Sequence, residues 1–280
     1  MQVVHTLSDL RQAVAKARAA GKSIGLVPTM GCLHEGHLSL IKKAQTESDF
    51  AVVSIFVNPT QFAPHEDFSQ YPRTFADDQA LCEKAGVALI FAPRVEDFYP
   101  PDASTWVDVE KVSEGLCGTF RPGHFRGVAT VVTMLFNAVQ PQVAVFGRKD
   151  LQQLAVIRRL VRDLHFPIKI IGHETVREAN GVALSSRNRY LTPEQMQQAA
   201  VIPAALQKAK QLWRAGEAQS SSLLAAVRNH LATEPSIALQ YLAIVDRDSM
   251  AVMEQVRPDQ SCIALACHLG KTRLIDNLDL

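Results

Sequence analysis

The sequence predicts an α/β fold, with a doubly wound parallel sheet followed by a smaller C-terminal α+β domain. Three observations lead to this prediction. Apolar runs alternate with helical patterns through the first 170 residues. The run AVVSIFV at 51–57 is β-branched and apolar throughout, as in a strand buried on both faces. After residue 192, two helical patterns are followed by three strand patterns, which is typical of an α+β unit.

The elements of the first half follow from periodicity and from residues that end helices. A helix over 9–19 is followed by Gly21, and a helix is also indicated from His37 to Thr46. A third helix is predicted over 74–85. The strands between these helices are predicted at 23–27, 51–57 and 87–91.

The second half begins with an irregular stretch at 93–125 that is rich in Pro and Gly. A helix at 127–139, a strand at 143–147, a helix from the N-cap Asp150 to Leu164 and a strand at 168–172 follow. The loop REANGVALSSRNRYL shows few core positions, so we place a boundary there, with domains at 1–180 and 181–280. Thr192 and Pro193 open one long helix, and the remaining elements are a helix at 220–232 and strands at 239–245, 261–267 and 272–276.

Composition excludes several classes of protein. The 280 residues carry a formal net charge of +1, so no overall attraction to nucleic acid or to anionic membranes is expected. No apolar run approaches the roughly 20 residues of a membrane span. The N-terminus turns polar too early for a secretory signal. The five cysteines form no C-x-x-C pair, so reduced thiols in a cytoplasmic protein are expected.

The stretch PTMGCLHEGHLSLI at 28–41 carries the strongest functional pattern. It lies at the carboxyl end of a predicted strand and enters a helix, where open α/β sheets bind ligands and where free N–H groups attract phosphate. Gly31 and Gly36 permit close approach of a ligand, and His34 and His37 offer ring N–H donors. The alternatives are that the histidines only cap or pack, or that they bind a metal. Metalloprotease histidines are spaced i and i+4, whereas these are i and i+3.

The H-x-G-H order resembles the signature of the nucleotidyltransferase and class I aminoacyl-tRNA synthetase superfamily. With six further blocks in the same order, the chain resembles the pantoate–β-alanine ligase (pantothenate synthetase) family over about residues 24–191. Those blocks are VSIFVNPTQF, YPRT, RPGHFRGVATVV, LFN, FGRKDLQQL and GVALSSRNRYL, and the closing RLIDN also fits. The resemblance implies a Rossmann-like fold and a two-step reaction. ATP and pantoate would give pantoyl adenylate, which β-alanine would attack with release of AMP. It also implies Mg²⁺ and a cytoplasmic homodimer, with the C-terminal domain as a lid.

The resemblance also implies the site residues. The catalytic set would be His34, His37, Lys149 and Arg187, with His37 as proton donor. The ATP-binding set would be Met30, Gly31, Cys32, Leu33, His34, Glu35, Gly36, His37, Gly147, Arg148, Lys149, Asp150, Val176, Leu184, Ser185, Ser186 and Arg187. Gln61 and Gln153 would bind pantoate, and Gln61 would also meet β-alanine. Asp77 and Asp78 are candidates for holding magnesium, although adjacent acids at a helix start are also common dipole partners. Asn58, His124 and Arg126 are further candidates.

Two positions depart from the family pattern. Arg148 stands where an acidic residue is usual, and its side chain either faces away from the ligand or adds positive charge beside the triphosphate. Cys32 replaces a more usual Ala or Asn, which adds an oxidisable thiol. Two other functions stay open at this point: a nucleotidyltransferase that leaves AMP on its product, and a regulatory module that binds ATP without turnover. An aminoacyl-tRNA synthetase is not expected, because the net charge is +1 and no basic domain is appended.

Overall fold

The N-terminal part of the computed structural model, which describes residues 1–64 and 66–280, is built around a six-stranded parallel sheet. Its strands are β1 (Gln2–Val4), β2 (Ile24–Thr29), β3 (Phe50–Ile55), β4 (Leu89–Phe91), β5 (Val143–Gly147) and β6 (Lys169–His173). The spatial order is β1-β4-β3-β2-β5-β6, and every neighbouring pair is parallel. The order reverses between β2 and β5. The carboxyl ends of these two strands therefore open a crevice, where doubly wound folds bind ligands.

Helices cover both faces of this sheet, as the sequence predicts. They are α1 (Leu7–Ala19), α2 (Glu35–Glu47), α3 (Phe75–Lys84), α4 (Val95–Phe98), α5 (Leu116–Phe120), α6 (His124–Val139) and α7 (Leu151–Asp163). One core joins α1, α6 and α7 to the sheet, and a second core joins α2 and α3 to its other face. Val52 and Val53 are both fully buried but belong to different cores, which explains why this strand is apolar at successive positions.

The C-terminal part has its own core. It contains α8 (Pro193–Gln198), α9 (Val201–Arg214), α10 (Ser220–Leu231) and the antiparallel strands β7 (Ile237–Asp246), β8 (Ser261–Leu269) and β9 (Thr272–Asp279). A third core runs from Val182 to Leu280 and fills the space between these helices and the sheet. The α+β architecture is confirmed, and the boundary near residue 180 stays a prediction.

The predicted elements and the observed ones differ in three places. The single long helix predicted after Thr192 is two helices, α8 and α9. Pro203 lies in the first turn of α9, where it has no N–H to continue a helix from α8 and its ring disfavours one. The stretch at 93–125 contains α4 and α5, and β1 was not predicted. These elements have three to five residues, which is too short for a periodic pattern.

All five cysteines are free and buried, and four of them are distributed over the three cores, whereas Cys32 lies in the turn after β2. Cys117 and Cys262 lie in the first core, Cys82 in the second and Cys267 in the third. Burial raises the pKa of Cys82, Cys262 and Cys267 to about 12. Within the described residues, no helix has both the length and the apolar character needed to cross a bilayer.

Candidate active site

The turn between β2 and α2 is fixed by a buried carboxylate from α3. Gly31 and Cys32 both adopt left-handed backbone conformations, with φ of 81° and 52°. The N–H groups of Cys32 and Leu33 then point to the two carboxylate oxygens of Asp78, at 2.9 and 2.7 Å. A Cβ on Gly31 would lie 2.9 Å from that carboxylate, so glycine suits the position.

This arrangement bears on the magnesium prediction. Asp78 is 1% exposed and both its oxygens accept hydrogen bonds from the turn, whereas Asp77 is exposed. Neither residue lines the crevice. The metal role of the pair stays a prediction that this geometry does not favour. Among residues 1–64 and 66–280, no group of three or more His, Cys, Asp or Glu side chains is arranged to hold a metal.

The two histidines cap helix α2 with their rings. The N–H of Gly36 donates to Nδ1 of His34 at 3.1 Å, and the N–H of His34 donates to Nδ1 of His37 at 3.3 Å. This is the reciprocal pattern of a capping box, built here from imidazoles. Because Nδ1 accepts in both rings, each neutral ring carries its proton on Nε2. A Cβ on Gly36 would lie 2.8 Å from Cε1 of His34, so glycine leaves room for the cap.

Both rings are neutral near pH 7. Burial and the nearby Lys149 charge lower the pKa of His34 to about 4. Burial and the neighbouring His34 lower the pKa of His37 to about 3. The ring centroids are 4.1 Å apart, so two adjacent imidazoles present Nε2–H donors from one helix N-terminus.

The segment after β5 supplies a lysine to the same crevice. Lys149 and Asp150 line it, and Nζ of Lys149 lies 4.0 Å from the half-exposed Asp150 carboxylate. Arg148 does not line the crevice, and it forms ion pairs with Glu174, at 2.6 Å, and with Asp279. Because its partner Glu174 does line the crevice, the ATP-binding role of Arg148 stays a prediction.

The third segment of predicted ATP-binding residues, 184–187, follows a tight hairpin at 176–184. The N–H of Leu184 donates to the carbonyl of Val176 at 2.9 Å, and Ser185 caps the 3₁₀ turn Ser186–Tyr190. Arg187 follows in this turn and donates two hydrogen bonds to Asp67, at 3.0 and 2.8 Å. The arginine that was predicted to bind phosphate is therefore held by a carboxylate of the chain itself.

The two predicted pantoate glutamines lie in one cavity. Gln61 ends the 3₁₀ turn Pro59–Gln61, is 8% exposed, and its Nε2 lies 3.1 Å from the sulfur of Met30. The buried Asn58 donates to Oε1 of Gln61 at 3.2 Å, which orients the amide. Gln153 enters the same cavity from the first turn of α7.

A buried network behind Gln61 was only partly indicated by the sequence. His124 shares a hydrogen bond with the carbonyl of Gln61 through Nδ1, at 2.8 Å, and Arg121 donates to the same carbonyl at 3.2 Å. Glu66 pairs with Arg121 at 2.6 Å. Burial and the Arg121 charge lower the pKa of His124 to about 4, so this ring is also neutral. Arg121 and Glu66 were not predicted, although Arg121 opens the quoted block RPGHFRG.

The predicted site residues line two adjoining cavities. A cavity of about 230 Å³ lies between the ends of β2 and β5, and an interdomain cleft of about 770 Å³ shares Lys149, Gln153 and Arg187 with it. The predicted residues that line the smaller cavity are Met30, His34, Gly36, His37, Asn58, Gln61, His124, Gly147, Lys149, Asp150, Gln153, Val176, Leu184, Ser185, Ser186 and Arg187. Gly31, Cys32 and Leu33 are buried in the turn, and Glu35 is exposed outside the cavity. Cys32 is fully buried, and burial raises the pKa of its thiol.

The fold and the site together define a class of protein. A doubly wound sheet, an H-x-G-H helix start at its switch point, and a lysine and an arginine around one cavity are the features of a nucleotide-binding α/β enzyme. A family model described as pantoate-beta-alanine ligase matches residues 2–279. The chain belongs to the pantoate–β-alanine ligase family.

Individual relatives match along the full length. The chain is 51% identical to pantothenate synthetase of Moorella thermoacetica over 280 residues, covering 100% of this chain and 99% of the relative. It is 49% identical to the pantothenate synthetase of Thermoanaerobacter sp. strain X514 over 278 residues, covering 99% and 98%.

Solved structures agree with the fold. Pantothenate synthetase from Thermus thermophilus superposes with a TM-score of 0.95 at 45% identity, covering 100% of this chain and 99% of that one. Pantoate-beta-alanine ligase from Francisella tularensis, complexed with beta-gamma ATP and beta-alanine, gives 0.80 at 33% identity, covering 99% and 97%.

Proposed function

We propose that this chain condenses pantoate with β-alanine at the expense of ATP, through a pantoyl adenylate formed in the cavity between β2 and β5. Membership of the family supports the overall reaction. The observation that supports the adenylate route is the imidazole pair, because it presents two uncharged Nε2–H donors at a helix N-terminus beside Lys149. Such donors stabilise negative charge as it develops on phosphate oxygens.

In the first step, a carboxylate oxygen of pantoate attacks the α-phosphorus of ATP. The new O–P bond forms as the bond to pyrophosphate breaks, so positioning and charge stabilisation carry the catalysis. Gln61 and Gln153 would hold pantoate. His34 and His37 would donate to phosphate oxygens from Nε2, and Lys149 would hold the phosphates as a point charge. A neutral His37 acts here as a hydrogen-bond donor.

Arg187 would bind the phosphates only after exchanging its partner. In the structure it is held by Asp67, so an incoming phosphate group has to replace that carboxylate. The replacement conserves a bidentate, charge-assisted pair, because phosphate offers the same oxygen geometry as a carboxylate.

In the second step, the β-alanine amine attacks the acyl carbon and the C–O bond to AMP breaks. The amine must be neutral, and an alkyl amine with a pKa near 10.4 is about one part in a thousand neutral at pH 7. Activation of the acyl group as an adenylate offsets this scarcity. The amine would enter from the interdomain cleft, which shares Gln153 with the cavity.

Magnesium would come with the nucleotide. Mg²⁺ is usually held by substrate phosphates together with one or two carboxylates. Glu66, Asp67 and Asp276 at the cleft are each paired with an arginine, whereas Asp150 is 48% exposed. Asp150 therefore fits better than the Asp77–Asp78 pair as a carboxylate beside the metal. The bound Mg²⁺ would offset the negative charge of the phosphates. The homodimer and the cytoplasmic location remain proposals that rest on the family.

Product analysis tests the proposed route. The protein is incubated with ATP, Mg²⁺ and pantoate, with and without β-alanine, while AMP, ADP and pyrophosphate are followed. We expect a stoichiometric pyrophosphate burst with pantoate alone, and repeated AMP formation when both acids are present. ADP in place of AMP would indicate an acyl phosphate and overturn the adenylate route. ATP binding without turnover would favour a regulatory module.

A further inference from the structure

Strand β9 of the C-terminal part contacts residues 147–150 at the crevice, which carry Lys149 and are called the lysine segment below. Nδ2 of Asn277 donates to the carbonyl of Arg148 at 3.0 Å and to the carbonyl of Lys149 at 2.8 Å. Asn277 is 9% exposed. Carbonyls only accept, so both contacts require the amide nitrogen and the orientation of the side chain is determined.

These two hydrogen bonds fix consecutive peptide groups. The planar amide uses both of its N–H groups on the carbonyls that flank the Lys149 Cα, which restrains the backbone from which the lysine side chain extends. The same segment is tied on its other side by the N–H of Arg148, which donates to the carbonyl of His173 at 2.8 Å. The sheet and the C-terminal domain thus hold the lysine segment from two sides.

Asp276, which precedes Asn277 in β9, contacts the hairpin that leads into residues 185–187, called the arginine segment below. Asp276 is 3% exposed and accepts two hydrogen bonds from Arg177, at 2.7 and 2.9 Å. Arg177 also donates to the carbonyl of Gly181 at 3.0 Å and so closes the hairpin that leads into Ser185–Arg187. One dipeptide of β9 therefore contacts both the lysine segment and the hairpin of the arginine segment.

We infer that Asn277 is a positioning residue for Lys149, and that Asp276 is its counterpart for the segment of Arg187. The inference rests on the proposed function, in which Lys149 holds the phosphates during adenylate formation. A role in folding alone does not account for the geometry. Strand β9 is already paired with β8 over its eight residues, while the Asn277 amide is directed to the other domain.

The test compares Asn277→Ala and Asn277→Ser with the unchanged chain in single-turnover pyrophosphate release from ATP and pantoate. We expect the rate at saturating ATP to fall between about 10-fold and 100-fold, as loss of reactant positioning does. The KM for ATP should change less than the rate. Thermal unfolding measured alongside confirms that each variant is folded, and the milder Asn277→Ser serves if Asn277→Ala is not.

A double-mutant cycle separates positioning from general destabilisation. If Asn277 acts through Lys149, Asn277→Ser should slow the Lys149→Ala protein by less than about 3-fold, because coupled residues are not additive. Asp248→Ala is the control. This substitution removes a contact between Asp248 and Arg158 at 3.7 Å, which also joins the two parts of the chain. The contact involves neither the lysine segment nor the arginine segment, so the rate of adenylate formation should stay unchanged.

Each outcome is distinct. The same loss from Asn277→Ser in both backgrounds would overturn the inference and leave the proposed function intact. A normal adenylation rate in Lys149→Ala alone would remove the proposed role of that lysine, and the inference with it. If Asn277→Ser greatly slows adenylate formation in the unchanged chain but not in the Lys149→Ala protein, the result would support both the inference and the proposed role of Lys149.

Discussion

The two histidines of the H-x-G-H stretch show how one side chain serves structure and chemistry together. Sequence reasoning set capping against phosphate binding as alternatives. In the structure, Nδ1 of each ring caps helix α2, and Nε2 remains as a donor beside the cavity. The pattern placed both histidines at the crevice beyond β2, and both line the cavity there. It could not assign the two nitrogens, because that assignment depends on backbone N–H groups that only the folded turn brings together.

His37→Asn separates the two roles. Asparagine places an acceptor oxygen near the position of Nδ1 but has no group at the position of Nε2. We expect helix α2 to stay capped, with unfolding free energy within about 1 kcal/mol. Adenylate formation should fall by about 100-fold or more, as after loss of a positioned donor. His37→Ala, which lacks both groups, is the comparison. A near-normal rate in His37→Asn would remove Nε2 from the mechanism.

If Arg187 binds ATP as proposed, Asp67 should compete with the nucleotide for it, because the carboxylate already accepts two hydrogen bonds from the guanidinium. Asp67→Asn keeps the shape of the side chain but removes its charge, so the arginine is released more easily. A partly exposed ion pair contributes up to about 1 kcal/mol, which corresponds to about a fivefold lower KM for ATP. Steady-state kinetics measure the change. Glu66→Gln is the matched control, since Glu66 pairs with Arg121 and should not lower this KM. An unchanged KM in Asp67→Asn would show that the pair does not compete with the nucleotide.

At the scale of elements, segments with a strong apolar pattern were predicted well, and segments without one were not. Helix α6 and strand β5 lie close to their predicted positions because each has a strong apolar pattern. The break between α8 and α9 follows from Pro203, a local signal that the strong helical pattern of the surrounding residues outweighs in a prediction from periodicity. The Asn277 contacts join segments more than 120 residues apart, so no local pattern indicates them.

The approach of helix α6 to the turn of Gln61 depends on one glycine. A Cβ on Gly127 would lie 2.4 Å from the carbonyl oxygen of Thr60, which is backbone and cannot rotate away. Gly127→Ala should therefore displace the turn and raise the KM for pantoate roughly tenfold. It should also lower the unfolding free energy by about 1–3 kcal/mol.

The exposed Asn137 of the same helix provides the control for this substitution. Asn137→Ala should leave both the KM for pantoate and the unfolding free energy nearly unchanged. If Gly127→Ala bound pantoate normally, the turn would be adaptable and the close contact would not determine the position of Gln61.

For the whole molecule, the sequence predicted two architectures but not how they meet. The contact includes Arg148 with Asp279, Asn277 with the lysine segment, and Phe120 stacked on Tyr241 with centroids 6.1 Å apart. Arg148 departs from the family pattern, and its acidic partners explain how the basic side chain is accommodated. The resemblance implies that the C-terminal part is a lid, which stays a prediction. The residues that join this part to the parallel sheet are far apart in the chain, so the sequence does not indicate them.

The stability of the molecule should depend on pH through three imidazoles that are buried or half-buried, those of His34, His37 and His124. The pKa values of His34 and His124 are lowered to about 4 and that of His37 to about 3, against 6.5 in the unfolded chain. Between about pH 6.5 and 4 the unfolded state therefore binds more protons, and stability falls as the pH falls. Each histidine adds up to about 1.4 kcal/mol per pH unit to the slope.

Urea unfolding at several pH values measures this dependence. The unchanged chain should be most stable above about pH 6.5 and should lose stability steadily toward pH 4. His37→Asn should show a shallower slope over the same range. A slope that is the same in both proteins would mean that His37 gains its proton as readily in the folded chain as in the unfolded one.

The distribution of the cysteines gives each core its own chemical reporter. A thiol reacts as the thiolate, and the buried thiols with pKa values near 12 are both inaccessible and protonated in the native state. Alkylation therefore requires the surrounding core to open. Labelling Cys82, Cys262 and Cys267 under native conditions, with the modified peptides read by mass spectrometry, would time the opening of three regions in one unmodified chain. The order in which they react would rank the cooperative units of the enzyme, and the shift on adding ATP would show which of them the nucleotide closes.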